Sequence, residues 1–242
     1  MLVPTAHGAA AVTVSSTSAS PFAGCTADFP DLQPGHLVPN GEVEPFLAVN
    51  PTNPSNLVAV WQQDRWTTLS SRGHVVATSF DGGLSWTVIT ATKNSFCTGG
   101  TLDNHGWSFR ATNPWLSFAA NGDLYLISAA TRGFDLVATL VAKSSDGGLT
   151  WSDPVELAVD TGANVFTDTN TITADPRDAR FAYAVWRRAV APTDEAAQRA
   201  YDNAAAFRGP LMFSRRTDGG ATWEVPREQG DAAFCDALEA IA

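Results

Sequence analysis

The sequence predicts an all-β protein made of three consecutive units, each an antiparallel sheet of four short strands. The first observation is a motif that occurs three times, as Ser79-Phe-Asp-Gly-Gly-Leu-Ser-Trp86, Ser144-Ser-Asp-Gly-Gly-Leu-Thr-Trp151 and Arg216-Thr-Asp-Gly-Gly-Ala-Thr-Trp223. The second is the spacing of the motif aspartates, 65 and then 72 residues, which is too long for a helical repeat. The third is strand-like sequence on both sides of the motif, as in Val75–Ser79 and Ser85–Ile89. Together they predict a hairpin at each motif.

Each motif has the composition of a tight turn. An aspartate at the start of a turn can accept hydrogen bonds from backbone N–H groups two residues on, and a Gly-Gly pair can adopt positive φ. The tryptophan can lay a large ring over the hairpin. We therefore predict that the aspartates fix equivalent turns and that the tryptophans pack behind them. These structural residues are Asp81, Trp86, Asp146, Trp151, Asp218 and Trp223.

Strand patterns place the three units at about 42–90, 113–158 and 169–228. In the first unit, the strand from Phe46 precedes Asn56-Leu-Val-Ala-Val-Trp61, and the third unit repeats this arrangement 125 residues later, ending at Trp186. The second unit fits more loosely, with Trp115-Leu-Ser-Phe118 before an Asn-Gly-Asp turn and a further apolar strand. Every unit is thus predicted to contain four strands.

Three segments lie outside this strand pattern. Residues 1–41 are predicted to be an N-terminal segment and linker; they lack a basic n-region, and Pro4 interrupts their apolar stretch, so they match a secretion signal poorly. Residues 191–207, between the second and third strands of the third unit, are predicted to form a short helix or a lid. Residues 229–242 are predicted to be a tail outside the units.

The motif resembles the Asp-box, or BNR repeat, of the sialidase-like β-propellers, with Arg216 standing where the family has serine. The resemblance implies that each unit is a propeller blade, that the boxes lie on the face away from the active site, and that a complete ring has six blades. Three blades do not close a ring, and open edges associate. We therefore interpret the chain as an N-terminal fragment prone to self-association. A half-propeller completed by dimerisation and a closed three-bladed propeller are the alternatives.

Composition excludes some classes of partner. The net charge of −10 argues against nucleic-acid binding, which depends on phosphate neutralisation. No apolar run reaches the roughly 18 residues of a membrane span. Cys25, Cys97 and Cys235 allow one disulfide and leave one thiol over. A pair of Cys25 with Cys97, both in loops that flank the first unit, and three unpaired cysteines are equal alternatives. The histidines do not have metal-ligand spacing, so the sequence predicts no metal and no cofactor.

Arginines are concentrated in the loops predicted for the face opposite the boxes. Arg65, Arg110 and Arg132 are predicted to bind substrate, together with Glu44 at the rim of the central funnel. The resemblance implies that an arginine triad holds the carboxylate of a terminal sialic acid. The alternative is that these arginines are solvated or paired with their neighbours.

The catalytic residues of the family do not transfer well to this chain. Phe109-Arg110 is not followed by the family's Ile/Leu-Pro, and the nucleophilic tyrosine and last arginine belong to later blades. Asp64 and Asp168 are the weak catalytic candidates that remain.

Two functions follow. The first is an exo-sialidase-like glycoside hydrolase, or its N-terminal part, acting on terminal sugars of glycans; the second is a non-catalytic Asp-box propeller that binds glycan or protein. The expected partner is a glycan or glycoconjugate. The family implies a secreted, periplasmic or cell-surface location, and this chain alone is expected to be inactive.

Overall fold

The computed structural model describes residues 13–15, 19–29, 35–68, 70–133, 136–162, 164–191, 209–218 and 222–229. The predicted all-β class is confirmed, because the helical content of these residues is a single 3-10 turn, Phe96–Thr98. The strands are β1 Leu37–Val49, β2 Leu57–Trp66, β3 Ser71–Ser79, β4 Thr87–Ile89, β5 Arg110–Phe118, β6 Leu124–Thr131, β7 Leu136–Ser144, β8 Val155–Thr161, β9 Val165–Ala174, β10 Ala182–Val190, β11 Leu211–Arg216 and β12 Arg227–Gln229.

The strands pair in chain order as three antiparallel sheets of four, as predicted. β1 to β4 form blade one, β5 to β8 form blade two and β9 to β12 form blade three. A single bridge between Ser71 and Ala111 joins the sheets of the first two blades. The first strands of the blades are neighbours, since β5 contacts both β1 and β9.

Strand structure extends into the segment predicted as a linker, because β1 begins at Leu37. Other predicted features lie outside the described residues: most of the insertion at 191–207, the tail after Gln229, and Cys235. Within the described residues, no helix has the length and apolar character that crossing a membrane requires.

Two apolar cores hold the blades together. Between blades one and two, Val58 and Val60 pack with Leu124 and Leu126, and Trp151 of the second motif closes this cluster. Between blades two and three, the largest buried side chain is Trp186, which packs among residues that include Ile127, Val141, Ile172 and Trp223 of the third motif. Full burial of one such aliphatic side chain contributes about 1.5 to 3 kcal/mol.

The N-terminal segment covers the opposite face of blade one. Phe22 is 3% exposed and packs with Trp61, Val75 and Ala77. Cys25 and Cys97 form a disulfide with Cα atoms 5.6 Å apart, which is one of the two alternatives that the sequence left open. This segment therefore belongs to the fold of blade one.

Backbone and side-chain hydrogen bonds fix the first motif turn. The Ser79 hydroxyl donates to Asp81 and accepts a hydrogen bond from the backbone N–H of Gly83. Gly83 has a φ angle of 92°. Asp81 also accepts bonds from the backbone N–H and hydroxyl of Ser85. These hydrogen bonds lower the pKa of Asp81 to about 2, and the bond from the Ser85 hydroxyl has the largest effect. The indole of Trp86 donates to the Gly83 carbonyl at 3.1 Å.

The second motif repeats the hydrogen bonds to the serine and the aspartate but not the bond from the indole, and the third motif varies them. Asp146 accepts bonds from the Ser144 hydroxyl and from the backbone N–H of Leu149 and of Thr150. In the third motif the hydroxyl of Thr222 donates to Asp218. Arg216, at the position of the motif serine, is buried and donates to the Tyr125 hydroxyl of blade two. The replacement of the motif serine by Arg216 thus adds a hydrogen bond between blades two and three.

Candidate functional site

A β-bulge interrupts the first strand of every blade at an equivalent position. The pairing register shifts between Val43 and Phe46 in β1, between Thr112 and Trp115 in β5, and around Thr169 in β9. Each bulge contains a non-glycine residue with positive φ, and these residues are Glu44 at 54°, Asn113 at 53° and Thr169 at 51°. Such a backbone is unfavourable, most of all for a β-branched residue like threonine. Bulges of this kind re-aim side chains and are frequent beside active sites.

Side chains at the bulges join a hydrogen-bond network that we call the funnel network: Glu44, Gln62, Arg65, Thr112, Asn113, Asp168 and Arg187. Gln62, which is fully buried, is its hub in blade one. The Gln62 amide donates to the Glu44 carboxylate and, at 3.0 Å, to the Thr112 hydroxyl. Its carbonyl accepts from Arg65 Nη1 at 2.5 Å. One buried amide therefore orients three side chains around it.

The network continues into blade three through Asn113. The Thr112 hydroxyl donates to Asn113 Oδ1 at 3.1 Å, and Asn113 Nδ2 donates to Asp168 Oδ1 at 2.9 Å. Arg187 binds the other oxygen of Asp168 at 2.5 Å. The network thus connects all three blades, and hydrogen bonds through Gln62, Thr112 and Asn113 link Glu44 to Asp168.

An aromatic pair lies next to the first two bulges. Phe46 and Trp115, two residues after Glu44 and Asn113 respectively, stack with ring centroids 3.9 Å apart and an interplanar angle of 27°. Both are partly buried, and their contact, two residues beyond the positive-φ residues of the bulges, joins blade one to blade two. The site therefore combines polar groups with an apolar surface, as small-molecule sites generally do.

The three arginines predicted to bind substrate have different surroundings. Arg65 belongs to the funnel network. Arg110 is 3% exposed, its guanidinium lies 3.8 Å from the centre of the Trp66 ring, and it donates to the Thr68 hydroxyl. Burial lowers the pKa of Arg110 to about 10. Arg132 is exposed and lies over the Phe109 ring at 5.6 Å.

The two catalytic candidates, Asp64 and Asp168, also differ in burial and in hydrogen-bond partners. Asp64 is fully buried and accepts bonds from the Ser20 hydroxyl at 2.5 Å and the Asn40 N–H at 2.9 Å, with Arg72 at 3.5 Å. These contacts tie the N-terminal segment to the end of β2. Asp168 is 36% exposed and lies in the funnel network. Glu44, predicted to bind substrate, is exposed beside Gln62.

Sequence reasoning missed several residues of the network and its surroundings, among them Gln62, Thr112 and Asn113. A local signal was present, because Glu44-Pro45-Phe46 and Asn113-Pro114-Trp115 correspond at an offset of 69 residues. Blade three lacks the proline, and its bulge follows Asp168 directly. The described residues contain no group of three or more histidine, cysteine or carboxylate side chains arranged to hold a metal.

Comparison with solved structures identifies the architecture. An α-L-arabinofuranosidase from Fusarium graminearum superposes with a TM-score of 0.53 at 14% identity, over 81% of this chain and 50% of that one. A Dyadobacter fermentans protein of unknown function superposes with a TM-score of 0.54 at 16% identity, over 79% of this chain and 51% of that one. A Hadza microbial sialidase superposes with a TM-score of 0.50 at 17% identity, over 76% of this chain and 37% of that one. The chain has a β-propeller fold.

At these identities the likeness establishes the propeller fold and not the activity. No protein-family model matches the chain, and no curated protein matches its sequence. The chain spans about half the length of the arabinofuranosidase chain.

The two ends of the propeller strands are distinct. The motif turns lie at one end, where Gly82 N–H donates to Ser55 O at 2.9 Å and the Asn56 amide donates to the Gly147 carbonyl at 3.2 Å. Arg65 of the funnel network lies at the end of β2 that points the other way. Since first strands surround the axis of a propeller, the funnel network lies at the axis, displaced toward the end opposite the motifs.

Proposed function

We propose that this chain carries the sugar-binding face of a glycoside-hydrolase-type propeller that acts on terminal sugars of glycans. The observation that carries the proposal is the funnel network, in which carboxylates from two blades join one hydrogen-bonded array at the axis. Most glycoside hydrolases use a pair of carboxylates, one as acid and the other as base or nucleophile. The arabinofuranosidase and sialidase likenesses agree with this class of activity.

The two carboxylates have different surroundings, which suggests different roles. Asp168 receives Asn113 on one oxygen and Arg187 on the other, so its orientation is fixed. Glu44 is exposed and receives the Gln62 amide. We assign Glu44 to proton exchange with the glycosidic oxygen and Asp168 to stabilisation of the positive charge that develops on the sugar.

A sialidase-like activity is the narrower form of this proposal. It would need arginines open to a sugar carboxylate and a tyrosine nucleophile. Of the tyrosines that the structure describes, Tyr125 receives a bond from Arg216 at the blade interface, and Tyr183 stacks on Phe213. If further blades complete the ring, they would supply the missing groups, and the isolated chain would turn over substrate slowly or not at all.

The second candidate is a non-catalytic propeller that binds glycan or protein. It is favoured by one observation: both carboxylates already have hydrogen-bond donors within the protein. In this function the same groups would act as fixed acceptors for a bound ligand.

Two further features belong to the proposal. We assign the three motifs as Asp-boxes, on the bonding of Asp81 and Asp146 and on the shared turn position. We also propose an extracytoplasmic location, which the Cys25–Cys97 disulfide supports because disulfides persist in oxidising compartments.

The test combines a glycan array with hydrolysis of a panel of aryl glycosides. The proteins are the wild type, Glu44→Gln, Asp168→Asn and the control Glu228→Gln, a change at an exposed position of β12. We expect glycan binding by the wild type and the control, and weaker binding by the two funnel variants. Turnover of a glycoside that Glu44→Gln or Asp168→Asn lowers selects the hydrolase, whereas binding without turnover is expected both of the non-catalytic function and of a hydrolase whose ring is incomplete. An array on which the wild type binds no glycan would overturn both functions as sugar-directed proposals.

A further inference from the structure

We infer that the funnel network recognises an uncharged terminal sugar through its hydroxyl groups and discriminates against anionic sugars such as sialic acids. This inference rests on the proposed function and narrows it to a substrate class. It differs from what the motif resemblance implies, and it is carried by the charges, the burial and the hydrogen-bond partners at the axis.

The charges of the network already balance. Its two guanidinium groups, Arg65 and Arg187, are matched by Glu44 and Asp168. Arg187 is committed to Asp168 at 2.5 Å, and Arg65 donates to the Gln62 carbonyl. A ligand carboxylate entering here would meet two carboxylates at close range, and it would have to displace existing partners from any arginine it used.

The other candidate arginines are poorly placed to change this balance. The Arg110 guanidinium is buried on the Trp66 ring, so a ligand could reach it only if this stacking were opened. Arg132 is exposed and lies over Phe109. Recognition of a carboxylate by several convergent guanidinium groups is therefore not what these side-chain positions favour.

The uncharged groups of the site suit sugar hydroxyls. A hydroxyl both donates and accepts, and so do the side chains of Thr112 and Asn113, which are partly buried at the second bulge.

The stacked pair of Phe46 and Trp115 offers an apolar surface beside these groups, suited to the C–H face of a sugar ring. Amide, hydroxyl and aromatic groups together describe a site for a neutral sugar.

The experiment uses the full chain and a glycan array on which each glycan ends either in a neutral pentose or hexose or in sialic or uronic acid. We expect binding to neutral ends only. We also expect binding that changes less than about twofold between low and high salt, because screening acts on charge–charge attraction. Thr112→Val, which removes the hydroxyl at the second bulge, should bind roughly tenfold more weakly, as expected for lost hydrogen bonds, while the matched control Thr87→Val at an exposed position of β4 should bind like the wild type.

Other results have distinct meanings. Binding confined to acidic ends, or equal binding to both classes, overturns the inference and leaves the sugar-binding function standing. Binding to no glycan overturns the proposed function itself. Thermal melts report whether Thr112→Val folds, and the comparison of neutral with acidic ends in the wild type decides the matter without that variant.

Discussion

At the scale of single residues, the aspartates of the first two motif turns accept hydrogen bonds from residues close to them in sequence. Asp146 illustrates this, because its hydrogen bonds come from residues within four positions along the chain. Burial alone would raise the pKa of Asp146, but the bonds from Thr150, Ser144 and Leu149 outweigh it and leave the pKa lowered. The ionised form is therefore the one that the turn binds.

Asp146→Ala should lower the free energy of unfolding by about 1 to 2 kcal/mol near neutral pH, because several backbone N–H groups lose their acceptor. The control is Asp153→Ala, which removes an exposed ion pair with Lys93 and should change little. Since the folded pKa is lowered, the wild type should lose this advantage as the pH falls below about 4. Urea denaturation at two pH values measures both effects, and equal stability of the two variants at pH 7 would refute the role.

His74 is a second residue whose surroundings predict a pH response. It is fully buried, burial lowers its pKa to about 3, and its Nδ1 lies 2.6 Å from the Asn94 amide. Because the histidine pKa is near 6.5 in the unfolded chain, His74 is protonated below that pH when the chain is unfolded but stays neutral in the folded protein. Folded stability should therefore fall as the pH drops from about 6.5 toward 4, by about 1.4 kcal/mol per pH unit from this group.

The measurement is the slope of unfolding free energy against pH in that window. His74→Gln should flatten the slope whatever its effect at pH 7, while His36→Gln, at an exposed position, should not. An unchanged slope in His74→Gln would show that His74 is not the group responsible.

At the scale of elements, the turns could be predicted from sequence and the bulges could not. A turn is specified by neighbouring residues, so Asp-Gly-Gly placed the first two hairpin turns correctly. In the third unit β11 and β12 pair on either side of the motif, whose residues 219–221 lie outside the described part of the chain. A bulge depends on how a strand pairs with another, and Glu44 and Thr169 are poor residues for positive φ. For the same reason the burial of Arg110 was not foreseen, since it depends on Trp66, which is distant in sequence. The funnel network is a product of such non-local pairing.

The strain at the third bulge gives a prediction with an internal control. Thr169 and Thr173 are both exposed on β9, but only Thr169 has positive φ. Thr169→Gly should be neutral or should stabilise the fold by up to about 1 kcal/mol, because glycine accepts this backbone freely. Thr173→Gly should destabilise by about 1 kcal/mol, as glycine does in a regular strand. Thermal melts of the two variants show whether each substitution raises or lowers the stability of the fold. A loss of stability in both variants would contradict a strained bulge.

The N-terminal segment and blade one form a second element-scale unit. The disulfide closes a loop with a sequence separation of 72, Phe22 fills an apolar cluster, and Arg72 donates to buried Asp28 at 2.8 Å. Replacing both Cys25 and Cys97 with serine should cost about 4 kcal/mol by the loop-entropy relation. Melts with and without reductant measure this, and reductant should shift the wild type but not the double variant. A wild type insensitive to full reduction would show that the disulfide adds no stability.

At the scale of the whole molecule, the two outer faces of the blade array differ. On blade one the N-terminal segment covers Trp61 and Val75, although Leu47 and Val49 of β1 remain about half exposed, at 50% and 49%. On blade three the face away from blade two includes Phe213, stacked with Tyr183, and Leu211, which is 45% exposed. Apolar sheet faces left open in this way associate, even in a chain with a net charge of −10.

We therefore expect the purified chain to sediment as species larger than a monomer, with a distribution that depends on concentration. Leu211→Lys places a charge on the open face of blade three and should shift the distribution toward monomer. Leu84→Lys, at an 81% exposed position in the first motif turn, should not. A discrete dimer that Leu211→Lys dissociates would favour two half-propellers completing one ring, whereas a broad size distribution would favour a fragment with unsatisfied blade faces. A monomer at every concentration would refute association through these faces, because the same apolar area would then be stable in water.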